Sequence, residues 1–133
     1  MRTLVDTSAL YALLDADDRN HRAAAEWFDE LEAEPEDILV THTYVVVETA
    51  ALVQHRLGAR AVRDLFDGLL PALDVTVVDA ALHERAVAAY LAGLSRRVSF
   101  VDRVSFELVR SARLDRAFAF DHDFAREGIA LVP

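Results

Sequence analysis

Aspartates stand at, or directly after, the carboxyl ends of three of the β-strands that the sequence predicts, where they can bind a ligand or take part in a reaction. These residues are Asp6, Asp79 and Asp121, each preceded by a short apolar run. Because ligands of an open parallel sheet gather outside the carboxyl ends of its strands, such carboxylates are expected at one edge of the sheet. Asp79 stands directly before an alanine-rich predicted helix, which is typical of a helix N-cap, so it is left out of the candidate site.

Asp6 and Asp121 also have purely structural interpretations. Asp6 can cap the helix that follows it, although Thr7 and Ser8 stand closer to the helical pattern and can do so instead. Asp121 opens a polar turn that continues to Asp123, and a role in this turn is an alternative for both acids. The sequence leaves these alternatives open.

Two further carboxylates lie on predicted helices. Glu48 shares a helix face with mainly apolar residues, where an unpaired ionised carboxylate is costly. An arginine, His55 or a bound cation is therefore expected to meet Glu48. Asp102 stands three residues after Ser99, the spacing of a capping box. A carboxylate in the first turn of a helix can equally point past the helix N-terminus toward a ligand.

A cluster of these carboxylates would have to take up protons or bind a cation. Two carboxylates about 5 Å apart repel by roughly 3 kcal/mol at an effective dielectric constant of about 20. Oxygen ligands without cysteine favour Mg²⁺ or Mn²⁺ over zinc. One or two such ions can activate a water and stabilise the leaving oxygen of a phosphodiester. If the acids converge, the sequence predicts metal-dependent hydrolysis of a phosphate ester.

Strands and helices alternate along the whole chain, which indicates an α/β fold with a mostly parallel sheet covered on both faces. Strands are predicted at residues 2–6, 38–41, 74–78, 117–120 and 129–132. Helices are predicted at about 10–14, 21–34, 44–57, 59–70, 80–92 and 99–112. No repeat, linker or change of composition interrupts this pattern, so one domain is expected to cover residues 1–133.

Three finer features follow from the same patterns. Thr41 or Thr43 is expected to cap the helix at 44–57, and Pro71 is expected to stop the helix at 59–70. Five apolar residues are expected to pack together in the core: Trp27, Phe28, Phe66, Leu69 and Leu70.

The composition excludes several classes of protein. The chain has 133 residues, of which 53% are hydrophobic and 28% charged, as is typical of a globular protein with a sizeable core. The absence of cysteine excludes disulfides and thiolate chemistry. All 14 basic residues are arginines, and the absence of lysine excludes a Walker A loop and a lysine Schiff base. The five histidines show no paired metal-binding spacing.

The N-terminal sequence and the charge bear on location and partners. Asp6 interrupts any signal peptide, and no segment approaches the roughly 18 apolar residues of a membrane span, so a cytoplasmic protein without membrane association is expected. The net charge of −9 argues against coating nucleic acid by bulk electrostatics. Residues 94–116 nevertheless carry a local charge of +3. Candidate phosphate contacts are Arg96, Arg97, Arg110 and Arg113, with solvated helix arginines as the simpler interpretation.

Four segments together resemble the PIN-domain ribonucleases, and among these the VapC-type toxins of prokaryotic toxin–antitoxin systems. The segments read VDTSAL at 5–10, VVE at 46–48, SFVD at 99–102 and AFAFDHDF at 117–124, with a glycine at 128. The resemblance spans the whole chain and implies a three-layer α/β/α sandwich and a Mg²⁺- or Mn²⁺-dependent endoribonuclease site. It also implies an RNA substrate, a cognate antitoxin that enters the acidic groove, and a homodimer.

The resemblance assigns roles to individual residues. The family's four acidic positions fall on Asp6, Glu48, Asp102 and Asp121, called here the four candidate acids. In this assignment Asp6, Asp102 and Asp121 ligate the metal, directly or through water. Glu48 completes the catalytic site and orients or deprotonates the attacking water.

Three auxiliary residues and one departure accompany the four candidate acids. Asp123 matches a position that is acidic in only some members of the family. Thr7 and Ser8 match polar residues beside the site, where a hydroxyl can orient Asp6. Arg103 stands where many members carry a small residue, so the rim of the site is expected to differ in shape.

Other functions compete with this interpretation. A haloacid-dehalogenase-like phosphatase needs a second aspartate two residues after the first and a lysine downstream, whereas Ser8 occupies that position and lysine is absent. A non-catalytic module could bind a basic peptide in the acidic groove. A PIN nuclease of RNA processing, or one that cuts DNA, is a further alternative. The small size of the chain favours the toxin over both.

Overall fold

Five parallel strands form one sheet in the computed structural model, which describes the backbone of residues 1–133 and every side chain except that of Glu32. The strands are β1 (Arg2–Val5), β2 (Ile38–His42), β3 (Asp74–Thr76), β4 (Arg116–Phe118) and β5 (Leu131–Val132). Their order in the sheet is β3-β2-β1-β4-β5. The predicted strands at 74–78 and 117–120 are therefore each two residues too long at the carboxyl end. The parallel α/β prediction is confirmed.

Helices cover both faces of the sheet, which makes three layers. They are α1 (Thr7–Leu14), α2 (His21–Glu32), α3 (Thr43–Arg56), α4 (Ala59–Arg63), α5 (Ala80–Ala92), α6 (Phe100–Ser111) and α7 (Asp123–Arg126). Alternate strand residues face opposite layers, so Val5 and Phe118 pack with α1–α4 whereas Leu4 and Ala117 pack with α5–α7. Among the described residues, no helix has the length and apolar character needed to cross a bilayer.

The chain changes direction across the sheet between β1 and β4. From β1 it proceeds through β2 to β3 on one side, and then returns to place β4 against the free side of β1. Leu4 aligns with Ala117 and Val5 with Phe118 in this pair. Such a switch point opens a crevice at the carboxyl ends of the two strands. Asp6 and Asp121 follow those two ends, as the sequence predicts.

Two helix starts agree with the sequence predictions. Asp79 caps α5, and its Oδ1 accepts a hydrogen bond from the Leu82 N–H at 2.8 Å. Ser99 and Asp102 form a complete capping box at the start of α6. The Asp102 N–H donates to Ser99 Oγ at 3.1 Å, and the Ser99 N–H donates to Asp102 Oδ2 at 2.9 Å. Both starts are therefore fixed by local side-chain hydrogen bonds.

The expected cap of α3 is wrong, because His42 caps this helix instead of Thr41 or Thr43. The Val45 N–H donates to His42 Nδ1 at 3.3 Å, so the ring proton lies on Nε2 and is donated to Ser105 Oγ at 2.8 Å. Burial lowers the pKa of His42 to about 4, which keeps the ring neutral. Thr41 is unavailable as a cap because its hydroxyl donates to the Val5 carbonyl at 2.9 Å.

The helix predicted at 59–70 is only partly correct. Regular α4 ends at Arg63, and the chain continues as a π-helical segment, Asp64–Leu69, and a 3₁₀ turn, Leu70–Ala72. The wider winding changes which side chains face inward. Leu65 is fully buried, whereas Phe66 is 46% exposed and is not the core residue that the sequence predicts. Of the other four predicted residues, Phe28 is buried in the core, and Trp27, Leu69 and Leu70 are partly buried and pack against it.

Candidate active site

Asp6 lies between β1 and α1, at the switch point of the sheet. Its Oδ2 accepts hydrogen bonds from the Ser8 N–H at 3.2 Å and from Ser8 Oγ at 2.6 Å, so Asp6 itself is the N-cap. Ser8 Oγ also accepts from the Phe120 N–H at 3.0 Å. One hydroxyl thus connects the residues that follow β1 and β4. Thr7 Oγ1 is buried and makes no hydrogen bond to any described residue.

Asp121 follows β4 and is held by its own turn. Its Oδ1 accepts a hydrogen bond from the Asp123 N–H at 2.9 Å, a local arrangement that fixes the carboxylate relative to the backbone. The neighbouring Phe120 N–H is bonded to Ser8, as described above. The turn role predicted as an alternative for Asp121 is therefore real. It leaves the second oxygen of the carboxylate available.

The four candidate acids interact through their charges, and burial together with these interactions raises the pKa values of two of them. Burial raises the pKa of Asp6 to about 6 against the opposing hydrogen bonds from Ser8, and the charges of Asp121 and Glu48 raise it further. Burial likewise raises the pKa of Asp102 to about 7, with added repulsion from Asp6 and Asp121. The structure therefore brings the four candidate acids into one electrostatically coupled cluster.

Three of these carboxylates share one arrangement that suits a cation. One oxygen of each accepts a local hydrogen bond, and the other accepts none from any described residue; the free atoms are Asp6 Oδ1, Asp102 Oδ1 and Asp121 Oδ2. Oriented oxygens in a partly buried, repulsive cluster fit a hard divalent cation. Among the described residues, no group of three His, Asp or Glu side chains stands close enough together to hold a metal ion by itself. Bridging waters, which Mg²⁺ commonly keeps, would complete such a site.

Glu48 is half-buried on α3 and differs from the other three acids. Neither an arginine nor His55 forms an ion pair with it among the side chains that the structure describes. His55 is exposed in the last turn of the same helix. Of the three expected partners for Glu48, only a bound cation therefore stays open.

Asp123 is also buried, but its charge is compensated. Its Oδ1 accepts a hydrogen bond from Arg126 Nη1 at 2.6 Å and lies 3.9 Å from Arg97 Nε. The hydrogen bond from Arg126 lowers the pKa of Asp123, and the charge of Arg97 lowers it further. Arg126 was missed among the candidate cations, although its i,i+3 spacing from Asp123 is a signal for a helical ion pair.

The candidate phosphate contacts separate into two groups. Arg110 donates to Glu127 at 2.6 Å and is occupied within the protein. Arg113 lies just before the amino end of β4, at the edge of the sheet opposite the four candidate acids. Arg96 and Arg97 are exposed just before α6, whose first turn carries Asp102. Of these two, Arg97 lies near the cluster, because its Nε is 3.9 Å from Asp123 Oδ1, two residues after Asp121.

Arg103, where the sequence departs from the family pattern, is tied down inside the protein. Its Nη1 donates to Glu127 Oε1 at 3.2 Å and its Nη2 to the Gly93 carbonyl at 3.2 Å. The guanidinium also lies 5.9 Å from the Phe106 ring centre. Arg103 therefore joins α5, α6 and the segment after α7.

The sequence and the fold define the class of this protein. The PIN domain family matches residues 3–129, and the chain belongs to this family. It is 35% identical over 129 residues to the 23S rRNA-specific endonuclease VapC20 of Mycobacterium tuberculosis, which covers 96% of this chain and 95% of the relative. The chain is thus a homologue of a VapC-type endonuclease. PIN nucleases generally use divalent metal ions.

Solved structures agree with this assignment. The crystal structure of M. tuberculosis VapC20, described as a sarcin–ricin loop cleaving toxin, superposes with a TM-score of 0.84 at 32% identity, over 96% of both chains. A toxin–antitoxin complex from Klebsiella pneumoniae superposes with a TM-score of 0.60 at 18% identity, over 98% of this chain and 96% of that chain. The second likeness concerns the fold alone.

Proposed function

We propose that this chain is a metal-dependent endoribonuclease and the toxin of a toxin–antitoxin pair, with residues 1–133 acting as a single nuclease domain. The observation that carries the proposal is the coupled cluster of the four candidate acids at the β1–β4 switch point. The relationship to VapC20 supports RNA as the substrate. A groove that only binds a basic peptide would not need one free, oriented oxygen on each of three aspartates.

Asp6, Asp102 and Asp121 would hold a divalent cation through their free oxygens. We propose Mg²⁺ or Mn²⁺, because all the donors are oxygens and cysteine is absent. When bound, the ion supplies positive charge at the scissile phosphate and lowers the pKa of water. The raised pKa values of Asp6 and Asp102 support a cluster that is incomplete without such a charge.

The chain's own side chains prepare the reaction in distinct ways. Ser8 orients Asp6 through its Oγ and N–H, and Ser99 orients Asp102 through the capping box. Glu48 has no ion-pair partner among the described side chains and is the residue we assign to accept a proton from the attacking water. The hydroxyl and backbone donors thereby fix the acids before substrate binds.

We propose a structured loop of large-subunit ribosomal RNA as the substrate, and the cytoplasm as the place of action. Support for the loop comes from the relative that is named a 23S rRNA-specific endonuclease and described as cleaving the sarcin–ricin loop. Sequence-specific RNA recognition usually targets such loops, because their bases are unstacked.

An antitoxin would have a separate surface on which to dock. Two grooves of about 470 and 640 Å³ adjoin α4 and the π-helical segment, and both are lined by Arg63 and Asp67. The exposed Phe66 lines the first groove and Phe28 lines the second. None of the four candidate acids lines either groove. An amphipathic antitoxin helix fits the first groove, whose lining is mainly apolar, while its tail would reach the acids.

A homodimer is the proposed assembly. Several large apolar side chains are exposed on α3, after β3, and at the end of α5: Val47, Val77, Leu91 and Leu94. A homodimer interface that covered these side chains would remove their apolar surface from water. Measurement of the molar mass in solution by light scattering tests this assembly, and a monomer at all concentrations would contradict it.

The decisive experiment is cleavage of ribosomal RNA by the purified, antitoxin-free protein with Mg²⁺ or Mn²⁺. We expect defined fragments that disappear with a chelator and with Asp6→Asn. Asp79→Asn is the matched control, because Asp79 only caps α5 and asparagine is an equally good N-cap. Full activity of Asp6→Asn would contradict the site. Absence of cleavage by the folded wild-type protein would favour the binding module.

A further inference from the structure

The approach of RNA to this protein poses an electrostatic problem. The chain carries a net charge of −9, and the four candidate acids add local repulsion against any phosphate. A polyanionic substrate is bound mainly through arginine and lysine contacts to its phosphates, and this chain has no lysine. Exposed arginines beside the site therefore have to supply the attraction.

Most arginines near the site are occupied by other groups or lie elsewhere. Arg103 and Arg110 share Glu127, and Arg110 also lies 3.7 Å from Glu107, so two carboxylates balance these two arginines. Arg113 and Arg116 lie at the amino end of β4, on the opposite edge of the sheet. The cations that are exposed at the site edge are found before α6 and within α7.

Arg97 and Arg126 approach the same carboxylate from these two segments. Arg126 is 57% exposed and lies 2.6 Å from Asp123 Oδ1, and Arg97 is 63% exposed and lies 3.9 Å from the same atom. The Asp123 side chain is only 7% exposed. Arg97, Arg126 and Asp123 together carry a net charge of +1, and both guanidinium groups are exposed to solvent.

The arginine pair is held next to Asp121. The Asp123 N–H donates to Asp121 Oδ1 at 2.9 Å, so the residue that holds the two guanidinium groups also fixes one of the four candidate acids. A phosphate group that contacts the arginine pair would therefore place its neighbour in the RNA strand near the acidic cluster.

We propose that Arg97 and Arg126 form the phosphate-binding contact of the RNA strand, and that Asp123 positions this arginine pair rather than ligating the metal. This inference rests on the proposed endoribonuclease function. Asp123 Oδ1 is already occupied by Arg126, in contrast to the free oxygens of the three proposed ligands. Arg97 has no hydrogen bond to Asp123 at 3.9 Å, so its guanidinium can turn to a phosphate without losing one.

Positioning by Asp123 also lowers the cost of binding. A free arginine side chain has considerable rotamer entropy, which is lost when it fixes a phosphate. Contact with a buried carboxylate removes part of that freedom beforehand. Asp123 itself is buried at the start of α7 and cannot reach a phosphate.

The first experiment measures steady-state cleavage of a synthetic RNA hairpin that the wild-type protein cuts. Arg97→Gln and Arg126→Gln are compared with Arg60→Gln. Arg60 is an exposed arginine on α4, which follows the end of α3 remote from the site edge, so this control removes the same charge elsewhere. We expect each site variant to raise KM about tenfold with kcat changed less than twofold. The slope of log kcat/KM against log salt is expected to become shallower by about one.

The second experiment separates the two roles of Asp123. Asp123→Asn removes a negative charge, so bulk electrostatics alone would strengthen RNA binding. Loss of positioning instead predicts a higher KM, together with unchanged affinity for Mn²⁺ in calorimetry without RNA. Weaker Mn²⁺ binding by Asp123→Asn would assign this residue to the metal and overturn the proposal. A lower KM would overturn it as well.

The outcomes distinguish this inference from the function on which it rests. If wild type cleaves RNA but both arginine variants behave like Arg60→Gln, the arginine pair is not the phosphate contact. If Arg60→Gln raises KM as strongly as the other two, the effect is one of net charge, and the proposal also fails. If no RNA is cleaved by wild type with either metal, the proposed function itself fails.

Discussion

Two acidic regions lie side by side in this protein, and they differ in whether arginines neutralise their carboxylates. Around α7, Asp123 contacts Arg97 and Arg126, and Glu127 contacts Arg103 and Arg110. At the switch point, the four candidate acids have no ion-pair partner among the described side chains. The chain can therefore neutralise carboxylates where their charge serves the fold, and it does not do so in the cluster.

The pKa values express the same difference. Hydrogen bonding to Arg126 lowers the pKa of Asp123, whereas burial and mutual repulsion raise those of Asp6 and Asp102 to about 6 and about 7. Partly buried charge without a counter-ion destabilises the folded state. Such a cost at the carboxyl edge of a parallel sheet is typical of a functional site and not of a structural one.

Asp102→Asn should break the cluster with the largest effect. We expect cleavage to fall by about 10³-fold or more, since a proposed ligand is lost. The pKa of Asp102 is raised on folding, so its ionisation destabilises the protein as pH rises above the unfolded value. The variant without metal should therefore be about 2 kcal/mol more stable than wild type at pH 8.

Urea unfolding in chelator, and again with Mn²⁺, measures this change in stability. Mn²⁺ should stabilise wild type more than Asp102→Asn, because the variant has lost a carboxylate ligand. A variant that is less stable than wild type in chelator would contradict the proposed repulsion. Asparagine can still accept the Ser99 N–H, so the capping box provides no simple alternative explanation.

His42→Asn tests a buried ionisable group outside the cluster. The pH dependence of stability that arises from His42 has the opposite sign to that from Asp102. Burial lowers the pKa of His42 to about 4, so its contribution to stability is complete above about pH 6.5 and is lost as pH falls toward 4. Asparagine keeps an N-cap but does not titrate. We expect the stability of wild type relative to the variant to fall by about 3 kcal/mol over this range.

The comparison of the two proteins at each pH cancels the contribution of their common carboxylates. Urea unfolding at intervals between pH 7 and pH 4 provides the measurement. A stability difference that stays constant over this range would show that His42 titrates normally in the folded protein.

Glu127→Gln breaks the paired region. Arg103 and Arg110 lose their shared carboxylate, and Arg103 Nε is already buried without a hydrogen-bond partner among the described residues. We expect a loss of about 1 to 2 kcal/mol in the free energy of unfolding. kcat should be unchanged, because the pair lies outside the cluster. Thermal unfolding measures the loss of stability, and the cleavage assay measures kcat. A large fall in kcat would show that Glu127 also affects the acidic cluster.

Gly93→Ala is the mildest test of the paired region. An added Cβ would lie 2.8 Å from Arg103 Nη2, the flexible end of a side chain that can shift. We expect a destabilisation below about 1 kcal/mol and full nuclease activity. A crystal structure should show Arg103 displaced from the Gly93 carbonyl. An unmoved Arg103 with a large loss of stability would contradict this explanation.

Sequence periodicity predicted the larger features of the fold because they depend on local patterns. Alternating strands and helices, the cap at Asp79 and the capping box at Ser99 all require only neighbouring residues. The cap of α3 was not predicted, because His42 acts as a cap only when burial keeps its ring neutral and Ser105 accepts its proton. That environment is created by residues distant in sequence.

The wrong burial prediction for Phe66 arises from an irregular helix. The π-helical segment at Asp64–Leu69 turns Phe66 outward, and a periodicity of 3.6 residues cannot predict this. Asp6, Asp102 and Asp121 were found because they follow strands or stand in the first turn of a helix. Glu48 was found because it stands on a mainly apolar helix face. The pairing of Asp123 with Arg97, by contrast, depends on how the segment before α6 folds against α7. The proposed roles of the four candidate acids stay predictions until the variants are tested.

The Ser8 hydroxyl makes the site sensitive to local opening of the protein. The Phe120 amide donates to Ser8 Oγ, which in turn donates to Asp6, so separation of the residues that follow β1 and β4 would free the Phe120 amide and remove one partner of the Ser8 hydroxyl. The hydrogen-exchange rate of the Phe120 amide therefore measures how often this hydrogen bond opens without global unfolding. An antitoxin or metal that slows this exchange would stabilise the contact between the segments that follow β1 and β4, even where it makes no contact with Phe120.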